Sequence, residues 1–181
     1  MLVVIPNHNE ERIEETTRET NLIFPEARIV IVNDHEGLGK GWALRQGISG
    51  NFHVPLVFID GDMDIHPKEI FKLLPHLSYF DIVVGKKQTP KGIRGWITRL
   101  SRIYIRLVFG IKVDTQTGLK LFNYKPEWVT DGWACDIEIL YRAKRMGKTM
   151  VEVPIVAQVS KSKTLGDLWR TLKESVRILV S

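Results

Sequence analysis

The sequence predicts an α/β fold, with a layered and mainly parallel sheet flanked by helices. Two observations carry that expectation. Short apolar, β-branched runs alternate with stretches of helical periodicity, as strand–helix–strand units require. The residues that follow successive strands are polar ("PNHNE", "NDHEG", "DGDMD", "GKK"), and open α/β sheets place ligands at the carboxyl ends of their strands.

The elements follow in order. "LVVI" (2–5) is a buried strand ended by Pro6. "NEERIEETTRETNLI" carries helix formers with acids in its first turn and reads as a helix. "RIVIVN" (28–33) is the second strand, and "GKGWALRQGI" (39–48) is a glycine-rich loop that enters a short helix. "PLVFID" (55–60) is the third strand. Pro67 suits the first position of a helix running to about Leu77. "DIVVG" (81–85) is the fourth strand. Residues 93–109 form the clearest amphipathic helix, with Ile93, Trp96, Ile97, Leu100, Ile103, Tyr104, Leu107 and Val108 on one face. A strand at 118–123, a helix at 135–147, a strand at 149–156 and a last amphipathic helix at 164–180 complete the chain.

The bulk numbers bound the answer. A chain of 181 residues suits a single domain with a sizeable core. We divide it into halves at 1–90 and 91–181. The net charge of +5 is compatible with an anionic ligand or a membrane surface. Basic residues without an array of exposed aromatics argue against nucleic acid. One cysteine, Cys135, excludes an internal disulfide and fits a reducing, cytoplasmic setting. No signal peptide is expected after "MLVVIP", and no transmembrane helix, because no long apolar run occurs. Oligomeric state is not legible.

The sharpest local signal is "VFIDGDMDIHP" (57–67), a buried strand running into Asp60, Asp62 and Asp64. If strand geometry continued, the three carboxylates would share one side. Gly61 would let a ligand approach the backbone. Such a cluster needs water or a cation, and alternating carboxylates suit Mg²⁺ or Mn²⁺. A solvated acidic turn is the plain alternative. An EF-hand loop is a poor match because Ile65 stands where glycine is required. His66 reads better as a cap for the helix starting at Pro67 than as a ligand. His8 and His35 lie on candidate pocket loops, without paired spacing for zinc.

The motif set resembles that of family-2 glycosyltransferases with the GT-A fold, and within them the dolichyl- and polyprenyl-phosphate sugar synthases. "VVIPNHNEE", "IVNDHEG", "FIDGDMDIHPKEI", "IVVGKK", "DTQTGLKLFN" and "WACDIEILYRAKRMGKTMVEVPI" stand in that family's order over residues 2 to about 163. The resemblance implies an inverting transferase that moves a sugar from a UDP-glucose or GDP-mannose type donor. It assigns the ion to Asp62 and Asp64, with Asp60 behind them or at the ribose. Pro6, His8 and Glu10 would shape the nucleotide pocket, and Asp34 would accept from the base. Asp34 also reads as a turn or cap residue. Gly61, Lys86 and Lys87 complete the donor side. The chain departs from the family in two places. "NDHEGLGKGWALRQG" joins segments normally separated by a helix and a strand, which would thin the sheet edge near the base. Many relatives also continue into transmembrane helices, and this sequence ends at Ser181.

A lipid-phosphate acceptor is already a nucleophile, so the site would need cations rather than a base. Arg99, Arg102 and Arg106 fall near one face of the 93–109 helix, and Lys120, Lys161 and Lys163 lie in acceptor-side segments. A solvated basic face is the competing reading. A hydroxyl acceptor would need a base, for which Asp136 is the first candidate and Glu138 the second. Both could instead pair with Arg142 or Lys144. The apolar-plus-basic helices 93–109 and 164–180 fit either a core cover or peripheral attachment to the cytoplasmic face of a membrane. The alternatives are a transferase acting on a sugar or protein hydroxyl, a nucleotidyltransferase, which "PNHNEER" suits poorly, and a shortened, inactive nucleotide-sugar-binding module.

Overall fold

The computed structural model describes residues 1–50, 52–89, 92–158, 173–176 and 178. Six strands form one sheet: β1 (Leu2–Asn7), β2 (Arg28–Asn33), β3 (Leu56–Phe58), β4 (Ile82–Lys86), β5 (Lys120–Phe122) and β6 (Met150–Pro154). Their order is β2-β1-β3-β5-β4-β6. The pairs β1–β2, β1–β3 and β4–β6 are parallel. β5 is inserted antiparallel between β3 and β4, so the sheet is mainly parallel, as expected. β2 and β6 are the edge strands, and Ile31 of β2 is 40% exposed.

Strand residues alternate between two cores, as the pleat dictates. Leu2, Val4, Leu56, Phe58, Ile82, Val84 and Phe122 face α2 (Lys40–Ile48), α4 (Ile93–Phe109) and α5 (Cys135–Arg145). Val3, Ile5, Val57, Ile59, Val83 and Leu121 face α1 (Ile13–Ile23) and α3 (Ile70–Leu73). β1, β3, β4 and β5 bury both faces, which is why they read as continuous apolar runs rather than alternating ones. Gly47 lets α2 sit close on β1, because a Cβ there would come within 2.3 Å of Val4.

Most strand and helix ends shift by a residue or two from the sequence reading, and three differences bear on the site. α1 begins at Ile13 rather than in "NEER", because Asn7 Oδ1 accepts from the Glu10 amide and Asn9 adopts φ 56°, closing a turn first. The 67–77 helix is three short pieces: 3₁₀ at Pro67–Glu69, α3, then 3₁₀ at Leu74–Ser78. Pro75 lies in the last piece and cannot donate to a continuing α-helical ladder. β3 ends at Phe58, before the acids. The 164–180 helix, with Lys161 and Lys163, falls outside the described residues, save that 173–176 and 178 are helical.

Candidate active site

The acids beyond β3 sit in a turn, not in an extended strand. Met63 has φ 56°, the left-handed region that non-glycine residues rarely adopt, and the chain bends there. The one-sided array of Asp60, Asp62 and Asp64 expected from strand alternation is therefore absent. Gly61 has a packing role. A Cβ there would come within 2.7 Å of Ile13, and the Gly61 carbonyl accepts from Thr16 at 2.9 Å, so the glycine lets α1 close on the turn.

The carboxylates are partnered differently. Lys40 Nζ, at the start of α2, lies 2.8 Å from Asp60 Oδ1 and donates to Asp136 Oδ2 at 3.0 Å. Lys120 Nζ, on β5, donates to Asp136 Oδ1 at 2.7 Å and to the Thr117 carbonyl at 2.5 Å. Asp60 packs on Gly118, where a Cβ would come within 2.0 Å of its oxygen. Asp64 Oδ2 pairs with Lys87, just past β4. Asp62 Oδ1 accepts the Asp64 amide at 3.0 Å.

The electrostatics separate these acids. Burial alone would push the Asp60 and Asp136 carboxyls up. The adjacent ammonium groups outweigh it and hold both below the usual range, Lys40 acting on Asp60 and Lys120 with Lys40 on Asp136. Asp62 goes the other way: burial, then the charge of Asp60, raises its pKa. Asp64 is 6% exposed, and its Oδ1 is a buried oxygen with no hydrogen-bond partner among the described residues.

Among the described residues, no three Asp, Glu, His or Cys side chains converge into a ready cage for an ion. The donor set still fits a hard cation. Asp62 is held against its own charge, Asp64 has an orphaned oxygen, and both are carboxylates. Mg²⁺ commonly takes one or two carboxylates and completes its shell with phosphate oxygens. Asp60 is tied to Lys40 instead.

The remaining residues singled out from the sequence divide into those the fold gathers and those it does not. Asp34 is buried, and its two oxygens accept the Leu38 and Gly39 amides at 2.8 and 2.7 Å. Burial raises its pKa, but those amides outweigh it and leave the carboxyl low. It closes the loop ahead of α2, the turn role weighed from sequence. His8 Nδ1 lies 3.1 Å from the Asp34 carbonyl, and Pro6 pairs with Val32 at the strand end. His66 Nδ1 accepts the Lys68 amide at 3.2 Å, which is the capping role. Glu138 accepts the Val129 and Thr130 amides and pairs with Arg142 at 2.5 Å, so it is structural. Lys144 reaches the Phe109 carbonyl at 3.2 Å, at the end of α4. Asp136 pairs with neither Arg142 nor Lys144 but with two lysines from other elements.

A cavity of about 230 Å³ is lined by Lys86, Arg102, Arg106, Lys112, Asp114 and Glu152, among others. Arg102 pairs with Asp114 at 2.7 Å and donates to Thr89 at 2.9 Å; Lys86 pairs with Glu152. Arg106 and Lys112 make no ion pair among the described residues. Arg99 does not line this cavity: its guanidinium lies 5.9 Å from the Trp96 ring. Trp96 (66%), Leu100 (62%), Ile103 (53%) and Leu107 (79%) form an exposed apolar stripe along α4, and Ile103 also lines the cavity. No helix among the described residues is long and apolar enough to cross a membrane.

Sequence reasoning missed Lys40 altogether. Its one trace was a lysine between two glycines at a helix start, a pattern that also fits a loop.

No family model matches the sequence. The chain is 24% identical over 216 residues to an undecaprenyl-phosphate mannosyltransferase of Micrococcus luteus, covering 93% of this chain and 88% of that protein. It is 25% identical over 174 residues to a dolichyl-phosphate β-glucosyltransferase of Trichomonas vaginalis, covering 85% of this chain and 53% of that protein. Glucosyl-3-phosphoglycerate synthase of Mycobacterium tuberculosis, solved with phosphoglyceric acid, superposes with a TM-score of 0.73 at 19% identity, over 99% of this chain and 78% of that one. The likeness in structure establishes the GT-A fold.

Proposed function

This chain is a relative of the polyprenyl- and dolichyl-phosphate glycosyltransferases, and from that kinship we propose that it moves a hexose from a nucleotide-sugar donor to a lipid-linked phosphate. The observation that carries this reading is the adjacency of two chemistries at the carboxyl ends of β3 and β4. Carboxylates able to share a cation lie beside Lys86 and Lys87, and Lys86 also lines the basic cavity.

Asp62 and Asp64 would hold Mg²⁺ or Mn²⁺ for the donor diphosphate, and such an ion would neutralise the charge that gathers as the diphosphate departs. Asp34, His8, Pro6 and Glu10 border the nucleoside at the ends of β1 and β2. The lipid phosphate enters the cavity beside Arg102, Arg106 and Lys112, whose charges offset its repulsion from the donor. The phosphate attacks the anomeric carbon directly, with inversion. The exposed stripe on α4, flanked by Arg99 and Arg106, rests on the cytoplasmic surface of the membrane that holds the acceptor. Donors of the UDP-glucose or GDP-mannose type suit this reading.

A hydroxyl acceptor would need Asp136 as base. Two lysines hold that carboxylate below its ordinary pKa, which makes it a poor proton acceptor and weighs against this alternative.

The test is a thermal-stability titration with UDP-glucose and GDP-mannose, with and without Mn²⁺, followed by nucleoside diphosphate release. Metal-dependent stabilisation by one donor, and release only when polyprenyl phosphate is added, are expected. Donor binding with no release to any acceptor identifies an inactive binding module and overturns the transferase reading.

A further inference from the structure

Four carboxylates meet three ammonium groups at this edge of the sheet: Asp60, Asp62, Asp64 and Asp136 against Lys40, Lys87 and Lys120. The sum is one negative charge, so the site is nearly balanced without any added ion. The three lysines are not held alike. The side chains of Lys120 and Lys40 are 1% and 8% exposed, and each is fixed by two oxygens. The Lys87 side chain is 28% exposed, has Asp64 as its single ion-pair partner among the described residues, and leaves the chain just beyond the last paired residue of β4, Lys86. Of the three ammonium groups it alone can leave by side-chain rotation.

We propose that Lys87 is the resident counter-ion of Asp64, that a divalent cation reaches Asp64 only by displacing it, and that the ion consequently binds tightly only together with a diphosphate. This rests on the metal-dependent reading above. A dication placed beside Lys40, Lys87 and Lys120 meets three like charges. A diphosphate supplies the negative charge that offsets them and gives the displaced Lys87 ammonium a new partner. The coupling is reciprocal: the nucleotide tightens the ion as much as the ion tightens the nucleotide.

The test follows Mn²⁺ binding by electron paramagnetic resonance, with and without UDP, in the wild type and in Lys87→Met, Lys87→Arg and Asp62→Asn. In the wild type UDP should tighten Mn²⁺ at least about ten-fold, within the usual range of such couplings. Lys87→Met should bind Mn²⁺ alone at least about ten-fold more tightly than the wild type, because a like charge has been removed. In that variant UDP should add little further. Lys87→Arg keeps the charge and should behave as the wild type. If Lys87→Met loses its fold by circular dichroism, Lys87→Gln takes its place. Mn²⁺ binding alone that is unchanged or weakened by loss of the lysine charge, with UDP still tightening it, overturns the proposal and leaves the metal site standing. No Asp62-dependent Mn²⁺ signal in any variant with UDP present overturns the metal-dependent reading and this proposal with it.

Discussion

Lys40 and Asp136 are 96 residues apart in sequence, and their ammonium and carboxylate meet at 3.0 Å. The same ammonium lies 2.8 Å from Asp60. One buried cation thus ties the turn after β3 to the start of α5.

Lys40→Met should cost about 3 kcal/mol of stability, the low end for breaking a buried pair, because Asp136 keeps Lys120. Urea denaturation measures it. Lys40→Arg, which keeps the charge, should recover part of the loss. A Lys40→Met protein as stable as the wild type would show that the ammonium does not hold these carboxylates.

Asp62→Asn should abolish metal-dependent donor binding and raise the melting temperature of the metal-free protein. The sign follows from the raised pKa of Asp62. Its charged form is disfavoured in the fold, so its ionisation lowers stability at every pH above its folded pKa, and this penalty is absent below the unfolded value. Removing the charge relieves the penalty at pH 7. Scanning calorimetry with and without Mn²⁺ separates the two effects.

Arg102→Ala should weaken use of a lipid-phosphate acceptor by about ten-fold or more, the cost of losing one charge-assisted contact, with donor binding retained. It also frees Asp114, so Arg102→Lys, which keeps the charge without the guanidinium fork, should be intermediate. Arg99→Ala should change acceptor use little, because Arg99 lies over Trp96 outside the cavity. Acceptor titrations at saturating donor distinguish the two arginines.

Asp136→Asn should flatten the acid side of the stability profile. Against burial, Lys120 and Lys40 hold the folded pKa of Asp136 below its ordinary value of 3.8. Its contribution is therefore complete above that value and fades as pH falls below it toward the folded pKa. Urea midpoints between pH 2 and about 6 should show a shallower fall in the variant.

Leu100→Glu with Leu107→Glu should reduce binding to vesicles containing anionic lipid while leaving the melting temperature nearly unchanged, because both side chains are exposed on α4. Flotation assays with and without the anionic lipid provide the readout.

Much of this site was visible in the chain itself. The acids after β3, the lysines after β4 and the arginines of α4 are contiguous or helically spaced, and such patterns survive in one dimension. The roles of individual members were less visible. Arg99 and Arg102 sit one turn apart, yet one covers an exposed ring and the other enters a cavity, because the loop carrying Asp114 packs against only part of the helix. Asp60 and Asp62 are neighbours in one motif, yet their pKa values move in opposite directions, because Lys40 reaches only the first.

Local chemistry determined the strands, most of the helices and the order in which they build the layers, since apolar periodicity and turn residues act over a few positions. The antiparallel insertion of β5, the bend at Met63 and the three-way meeting of Lys40, Asp60 and Asp136 belong to the assembled molecule alone. Strand direction leaves no mark on periodicity, and an ion pair depends on separation in space, which the folded sheet sets and the distance along the chain does not.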